Sequence, residues 1–515
     1  MATGIYILLS LLMIPYAGVQ DDEALFAVPF WQSLGRRFEI RAFHHSIPLM
    51  LISYLGTLKT ALYWVLLKVF DPNIWTVRVP MALVGALTVY FFYRLLQRSS
   101  PRVAILGTVL LATEPTFLLT NTFDWGPVGL EHLLLVSGCY SLACFRDTQK
   151  LKDLSIGFFL LGLALWNKAL FLWALSGAVM GALIVFWPEV RAAMTRRNLT
   201  AASLAFVLGA FPFILFNLRR PGATVGENVH LDTAALSSKW LQVENAANGN
   251  ALFGFIAEED FADSPKRMTS ATGRTAAWIQ RSLGSYRKTG FLYAFAALLA
   301  CFPLWKGSRA AKFSLIFLLV AGGLMMLTKD AGGAAHHIVL LWPFPIVFVA
   351  VSLVALPWRW LAALAGTALV ALNLLVINQY LFQFERNGAA GNFSDALFQL
   401  ARSLPRYHVE RIYVIDWGIA NSVQLSNRGQ LPLRFASDPL MNDSPDSTQR
   451  GQLLAMLSDP QAVFVDHVIS REVFAGVGTR LQRFADSNGF KREMLETVAD
   501  SNTRPVFEIF RFQKD

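Results

Sequence analysis

Eleven apolar runs fill the chain up to residue 378, at 4–19, 78–96, 103–120, 127–145, 154–167, 169–187, 199–216, 290–305, 313–327, 338–356 and 360–378. A helix needs about 20 predominantly apolar residues to cross the hydrocarbon core of a bilayer. Most of these runs approach that length, so the pattern predicts an α-helical polytopic membrane protein with about eleven spans. Only 16% of the 515 residues are charged, against about 25% in soluble domains, so most of the surface must meet lipid. The 40 Phe and 14 Trp suit lipid-facing walls and interfacial belts.

The net charge of +10 would suggest nucleic acid in a soluble protein. Here the cations sit in short loops between the runs, and the positive-inside rule accounts for them without any nucleic-acid partner. Arg94, Arg98 and Arg102 follow the second run, Arg146, Lys150 and Lys152 the fourth, and Arg191, Arg196 and Arg197 the sixth. Lys306, Arg309 and Lys312 follow the eighth and Arg359 the tenth. Every even-numbered helix therefore ends in a basic, cytoplasmic loop. The N-terminus is expected in the cytoplasm and the C-terminus on the periplasmic or extracellular side. Residues 4–19 lack the basic n-region of a signal peptide and are read as an uncleaved first helix.

Three segments then fall outside. Loop 20–77 is long and partly apolar; its stretch Leu49 to Phe70 contains Gly56, Lys59 and Lys68 and is read as juxtamembrane or re-entrant helix against the outer leaflet. Loop 218–289 is polar. The tail reads as a soluble α/β domain, with strands at 411–417, 461–467 and 506–512 and helices at 393–404, 447–457 and 476–488. The expected domains are 1–384 in the membrane and 385–515 outside it. Cys139, Cys144 and Cys301 lie in apolar runs without metal or redox spacing.

Ionisable residues gather at the outer side. Asp21, Asp22 and Glu23 directly follow the first helix. Acids contribute little to orientation, so this run suits a general base or a divalent-cation ligand, unless it merely opens a helix. Asp124 lies at the next outer turn, with Glu131 and His132 just beyond it and Glu114 before it. Ionisable residues in or near spans usually face a cavity or a partner, although Glu114 and Glu131 also suit buried structural hydrogen bonds. Lys59, Arg78 and Lys168 share that side, as do His336 and His337, which suit cavity lining or phosphate contact better than a metal. His44 and His45 form a weaker pair of the same kind. Carboxylates and cations at one leaflet suit an anionic, lipid-linked substrate, the carboxylate acting on an incoming hydroxyl while a cation neutralises a leaving phosphate. No P-loop, GxGxxG, HExxH or GxSxG motif is present.

This arrangement resembles the GT-C membrane glycosyltransferases, especially the branch of protein O-mannosyltransferases and lipid A aminoarabinose transferases, over residues 1–220. Asp22-Glu23-Ala24 resembles the family's Asp-Glu signature, and Lys59-Thr-Ala-Leu-Tyr-Trp is similar to a Lys-Pro-Pro-Leu-Tyr-Tyr-Trp stretch, with Thr60-Ala61 in place of the two prolines. Arg78-Val-Pro looks like Arg-Leu-Pro, and Leu161 to Lys168 looks like the family's Gly-Leu…Lys turn. The resemblance implies transfer of a sugar from a polyprenyl-phosphate donor to a hydroxyl of a lipid, glycan or protein acceptor, in the bacterial inner membrane. Asp22 would be the base, with inversion at the anomeric carbon, Glu23 would complete the signature, and Asp124 would orient the acceptor or bind a cation. The phosphate would lie near Lys59, Arg78 or Lys168, with Glu131, His336 and His337 lining the substrate site, and the C-terminal domain would bind the acceptor. Metal dependence stays open, with Asp22 and Asp124 as the candidate ligands. The alternative is a transporter or lipid flippase, which would place its ionisable residues near the bilayer midplane.

Overall fold

The structure is a computed structural model that describes residues 1–31, 36–42, 45–259 and 268–514. His44 lies outside the described residues. The chain opens with α1 (Ala2–Met13), a short α2 (Asp21–Leu25), strands β1 (Phe38–Ala42), β2 (His45–Ile52) and β3 (Leu55–Gly56), and α3 (Leu58–Leu66). Long helices follow: α4 (Ile74–Gln97), α5 (Pro101–Thr113) with α6 (Pro115–Thr122), α7 (Val128–Thr148), α8 (Leu151–Asn167), α9 (Phe171–Val185) with α10 (Trp187–Ala193), and α11 (Arg196–Arg219). Then come α12 (Ala223–Asn228), α13 (Leu236–Ala247), α14 (Ala271–Leu283), α15 (Phe291–Ala300), α16 (Phe302–Trp305) and α17 (Arg309–Leu327). The helical part closes with α18 (Ala335–Ile338), α19 (Phe344–Val354) and the 29-residue α20 (Arg359–Asn387).

Each of the eleven apolar runs is helical. Among the described residues, five helices are long and apolar enough to cross a membrane singly, and eight spans result if each bent pair counts as one. The other three of the expected eleven are the shorter apolar α1 and α15 and the 17-residue α8. The bends have local causes. Between α5 and α6 the axis turns by 59° where Pro115 removes a backbone donor and pushes Glu114 into extended geometry. The Glu114 carboxylate then caps α6, accepting from the Thr116 and Phe117 N–H groups at 3.1 and 2.6 Å, which is a structural use of that acid.

Helix α4 packs against α1, α5 and α7, and α7 continues through α8 to α11. The α8–α11 contact rests on two glycines. A Cβ on Gly162 would come 2.3 Å from the Phe206 carbonyl oxygen, and one on Gly209 would come 2.3 Å from that of Phe159, so only glycine permits this backbone approach. The basic loops meet at one end of the bundle, where Arg98 pairs with Asp147 and Arg309 with Glu189, while Arg146 and Arg309 both lie over the Phe186 ring.

Two loop expectations change. Leu49 to Phe70 is not helix throughout: its first part belongs to the antiparallel sheet β1-β2-β3 and only α3 is helical. The β-branched Ile47 and Ile52 favour a strand, and the strand's partner lies in residues that read as loop. Along α3 and just beyond it, Trp64, Val65, Val69 and Phe70 are exposed, with Lys68 held 3.6 Å over the Trp64 ring, as suits an interfacial surface. Among its described residues, loop 218–289 carries three helices, of which α14 packs along α20.

Beyond α20 lie α21 (Ala396–Ser403), β4 (Arg411–Val414), α22 (Ala420–Ser426), β5 (Leu433–Phe435), α23 (Ser447–Leu457), β6 (Ala462–His467), α24 (Val477–Ser487), β7 (Phe490–Ala499) and β8 (Pro505–Lys514). The strands form one sheet in the order β5-β4-β6-β8-β7, parallel across β5-β4-β6 and antiparallel across β6-β8-β7. Alternate β6 residues face opposite layers: Val463 and Val465 pack with α21 and α22, Phe464 with α23 and α24. The short β5 and the largely polar β7 are edge strands that the sequence pattern alone does not reveal.

Candidate functional site

The acidic run forms the first turn of α2. Gln20 caps it in a capping box, accepting from the Asp22 and Glu23 N–H groups at 2.7 and 3.1 Å while its own N–H reaches Glu23 Oε2 at 3.3 Å. Three successive carboxylates on one helical turn point in three directions, and each meets a different partner.

Glu23 turns into the bundle and grips Arg78, with Nε and Nη2 at 2.7 and 2.9 Å from its two oxygens. The remaining Arg78 donors reach the carbonyl oxygens of Ile14, Ala17 and Gly18 at 2.6 to 2.9 Å. A guanidinium has five N–H donors, so every one of them is used inside the protein. Arg78 therefore has no donor left for a phosphate, and Glu23 has no free oxygen for acid–base work. The pair fixes the end of α1 and α2 against α4, in place of the substrate contact expected of Arg78.

Asp21 turns toward the C-terminal sheet, where the Asn421 backbone N–H and side-chain amide donate to its two oxygens at 2.7 and 2.8 Å. Burial raises its carboxyl to about 6 against those hydrogen bonds. Asp22 alone of the three keeps partial exposure. Burial, then the neighbouring Asp21 charge, raise its carboxyl to about 7, while Lys168 and Lys59 pull it down.

Asp124 sits between α6 and α7 at φ 22°, a conformation that Asp tolerates better than most residues. Its Oδ1 accepts from the Gly129 N–H at 2.9 Å, and its Oδ2 pairs with Lys59 Nζ at 2.8 Å, both side chains being buried. Lys59 Nζ also donates to the Asp124 carbonyl oxygen at 2.5 Å and lies 4.6 Å over the Phe26 ring.

Lys168 occupies the tight turn from α8 to α9, clipped to Leu55 of β3 by an isolated antiparallel bridge. Its buried Nζ makes no hydrogen bond or ion pair with another described residue. Burial lowers its ammonium to about 8, opposed by the charges of Glu131, Asp124 and Asp22. Gly126 lies beside it: a Cβ there would come 3.4 Å from Lys168 Nζ and 3.0 Å from His336 Cδ2. Glycine leaves this space open.

His336 receives a hydrogen bond on Nδ1 from the Trp125 indole N–H, at 2.9 Å. An indole nitrogen can only donate, so Nδ1 accepts and the ring proton resides on Nε2, on the Gly126 side. His337 meets the Asp330 carbonyl oxygen at 3.0 Å through its Nδ1. Glu131 accepts from Asn167 at 2.8 Å while its second oxygen has no hydrogen-bond partner among the described residues. Asn167 also donates to the Pro127 carbonyl oxygen at 3.1 Å, fixing the Asp124 loop to the Lys168 turn. His132 lies between Asn121 Oδ1 and the Val339 carbonyl oxygen.

The structure thus gathers Asp22, Asp124, Lys59, Lys168 and Glu131, and brings His336 beside them; Glu23 and Arg78 form a buried clamp behind. The donor set does not suit the metal role considered for Asp22 and Asp124. Both Asp124 oxygens are engaged by a cation and an N–H group, and no group of three His, Cys, Asp or Glu among the described residues could hold an ion. Sequence reasoning missed Trp125 and Asn167, although each adjoins a residue it singled out. It also missed Asn421, for which the sequence carries no signal.

The chain has a fold already seen in a solved membrane-protein structure, and part of it matches a known family in sequence. Residues 58–216, less than half of the chain, match the dolichyl-phosphate-mannose-protein mannosyltransferase family. The structure is similar to that of ArnT from Cupriavidus metallidurans bound to undecaprenyl phosphate, with a TM-score of 0.57 and 13% identity over 99% of this chain and 97% of that one. The apo state of the same ArnT gives a TM-score of 0.55 at 13% identity and the same coverage. No curated protein matches the chain in sequence.

Proposed function

We propose that the chain transfers a sugar from a polyprenyl-phosphate donor to an acceptor hydroxyl at the extracytoplasmic face of an inner membrane, with inversion. The observation that carries this reading is Asp22, a partly exposed carboxylate raised to about 7 that faces the charges of two buried lysines. A base whose proton affinity lies near working pH takes a proton without giving up the ionised form. Asp22 removes the acceptor proton as the hydroxyl attacks the anomeric carbon. Lys168, whose ammonium has no fixed partner among the described residues, takes up the charge that develops on the departing lipid phosphate. His336, held by Trp125 with its proton on Nε2, adds a donor on the same side. Lys59 and Asp124 neutralise each other and hold the α6–α7 loop in place.

The similarity to a lipid-phosphate-bound ArnT fold and the match to a polyprenyl-type mannosyltransferase family support the donor class. Against the transporter alternative, these groups lie at helix ends and turns on one side of the bundle: after α1, between α6 and α7, and between α8 and α9.

The test is transfer from a panel of radiolabelled polyprenyl-phosphate sugars by membranes holding wild type or Asp22→Asn at equal expression. Wild type should consume at least one donor and the variant should lose nearly all turnover. Equal turnover in both would remove Asp22 from the mechanism, and substrate-dependent flux in vesicles without donor consumption would favour transport.

A further inference from the structure

The three anchors of α2 are not alike. Gln20 caps its start within the same segment, and Arg78 holds Glu23 from the adjoining bundle. Asp21 is held by a residue 400 positions away, Asn421, at the start of α22. A five-residue helix does not hold its own shape, because its intrahelical bonds scarcely offset the ordering of its backbone. The direction of the Asp22 carboxylate is therefore set by these external anchors. Asp21 precedes Asp22 by one residue, so the hold on the Asp21 side chain bears directly on where the Asp22 carboxylate points.

The C-terminal sheet is built to keep Asn421 in place. Strand β4 runs into Asp416, whose carboxylate accepts from the N–H groups of Trp417, Val473 and Phe474 at 2.6 to 2.9 Å and pairs with His467 Nδ1 at 2.8 Å. That hub ties the loop after β4 to the loop after β6, and α22 departs from it. The edge of the sheet that meets the acidic turn is the carboxyl edge of its parallel strands. Farther along the seam, Leu425 of α22 and Phe398 of α21 pack in one apolar cluster with Ala24 and Phe26, and the Gly18 N–H donates to the Phe393 carbonyl oxygen at 2.7 Å.

We infer that Asn421 is a positioning residue for the transfer reaction: through its paired hydrogen bonds to Asp21, the C-terminal α/β unit sets the orientation of Asp22. The inference rests on the reading of Asp22 as the base. The pairing is specific in chemistry, since one Asp21 oxygen takes the backbone N–H and the other takes the side-chain amide. Asn421→Asp keeps the size and removes the amide donor, leaving two carboxylates face to face. Exchanging the groups, Asp21→Asn with Asn421→Asp, restores the pair: the amide now donates from α2, and its carbonyl oxygen still accepts the backbone N–H of position 421.

The test is steady-state transfer by the full chain in membranes, with retention of the folded form followed by detergent size-exclusion. Asn421→Asp should lower kcat roughly ten- to a hundredfold, as misorientation of a reacting group does. The donor KM should move less than about twofold, because the Asn421 amide is engaged with Asp21 and not directed at the proposed phosphate site by Lys168. The exchanged pair should recover most of the lost kcat. Full activity of Asn421→Asp would overturn the inference, and so would failure of the exchanged pair to recover while folded. Both outcomes leave the glycosyltransferase reading standing. A wild type that consumes no donor would overturn the reading, and the inference with it.

Discussion

Arg78 holds Glu23 through two hydrogen bonds of 2.7 and 2.9 Å while its other donors close onto three backbone carbonyls at the end of the first helix. The pair is fully buried. A lysine offers a single nitrogen and cannot reproduce that fork. Arg78→Lys should therefore destabilise the protein by about 3–5 kcal/mol, the usual cost of breaking a buried pair from one side. Folded Arg78→Lys molecules should keep a near-normal donor KM. Thermal unfolding in detergent and a KM titration check the two halves; a selective rise in KM would return Arg78 to the phosphate site.

The ion pair of Lys59 and Asp124 gives a different signature. Lys59→Met leaves the Asp124 carboxylate buried without its cation, and should cost about 3–5 kcal/mol. Lys59→Met combined with Asp124→Asn should recover at least about 1 kcal/mol of that loss, because no unpaired charge remains. A double-mutant cycle on thermal stability reads the coupling directly.

If Asp22 and Lys168 act as proposed, the rate should depend on pH from both sides. Asp22 must be ionised to take a proton, and its carboxyl is raised to about 7, so kcat/KM falls as pH drops through that value. Lys168 must be charged, and its ammonium is lowered to about 8, so kcat/KM falls again as pH rises through that value. The expected profile is a narrow bell. Lys168→Arg stays charged throughout and should lose the alkaline limb, whatever its maximal rate.

Gly126 leaves open the space between Lys168 and His336. Gly126→Ala puts a methyl group 3.4 Å from Lys168 Nζ and 3.0 Å from His336 Cδ2. It should reduce turnover by about tenfold or more through displaced donors, with little change in unfolding temperature. A stability loss matching the activity loss would instead mark Gly126 as a packing residue.

Asp466 tests the C-terminal unit without touching the site. Burial, then the charges of Asp416 and Glu472, raise its carboxyl to about 8, far above the 3.9 of a free Asp. The folded state holds a proton that the unfolded chain has lost, so this contribution is complete at low pH and disappears as pH rises through about 8. Asp466→Asn should raise stability at pH 8 by at least about 1 kcal/mol and change little near pH 4. Unfolding curves at both values settle the sign.

Much of the architecture was legible in the sequence because a bilayer imposes a strong, one-dimensional pattern. Apolar length and loop charge need only local composition, and all eleven runs are helical, although α1 and α15 are short for spans. In the tail, the buried strands β4, β6 and β8 were readable from their apolar runs. The edge strands β5 and β7 were not, because residues such as Lys491 and Glu493 answer to pairing with β8 and not to burial. The first outer loop misled for the same reason: β2 is fixed by β1 and β3 across a turn, and Leu49 to Phe70 taken alone reads as helix.

For the site, the sequence determined which ionisable residues lie toward one end of the bundle, since charge is tolerated there and costly elsewhere. Only the tertiary structure decided which of them are free to act. Asp21, Asp22 and Glu23 are alike in sequence, yet α2 sends one to Asn421, one to Arg78 and one toward Lys168. Their roles depend on partners 55 and 400 residues away, and no local pattern encodes a contact closed over that distance.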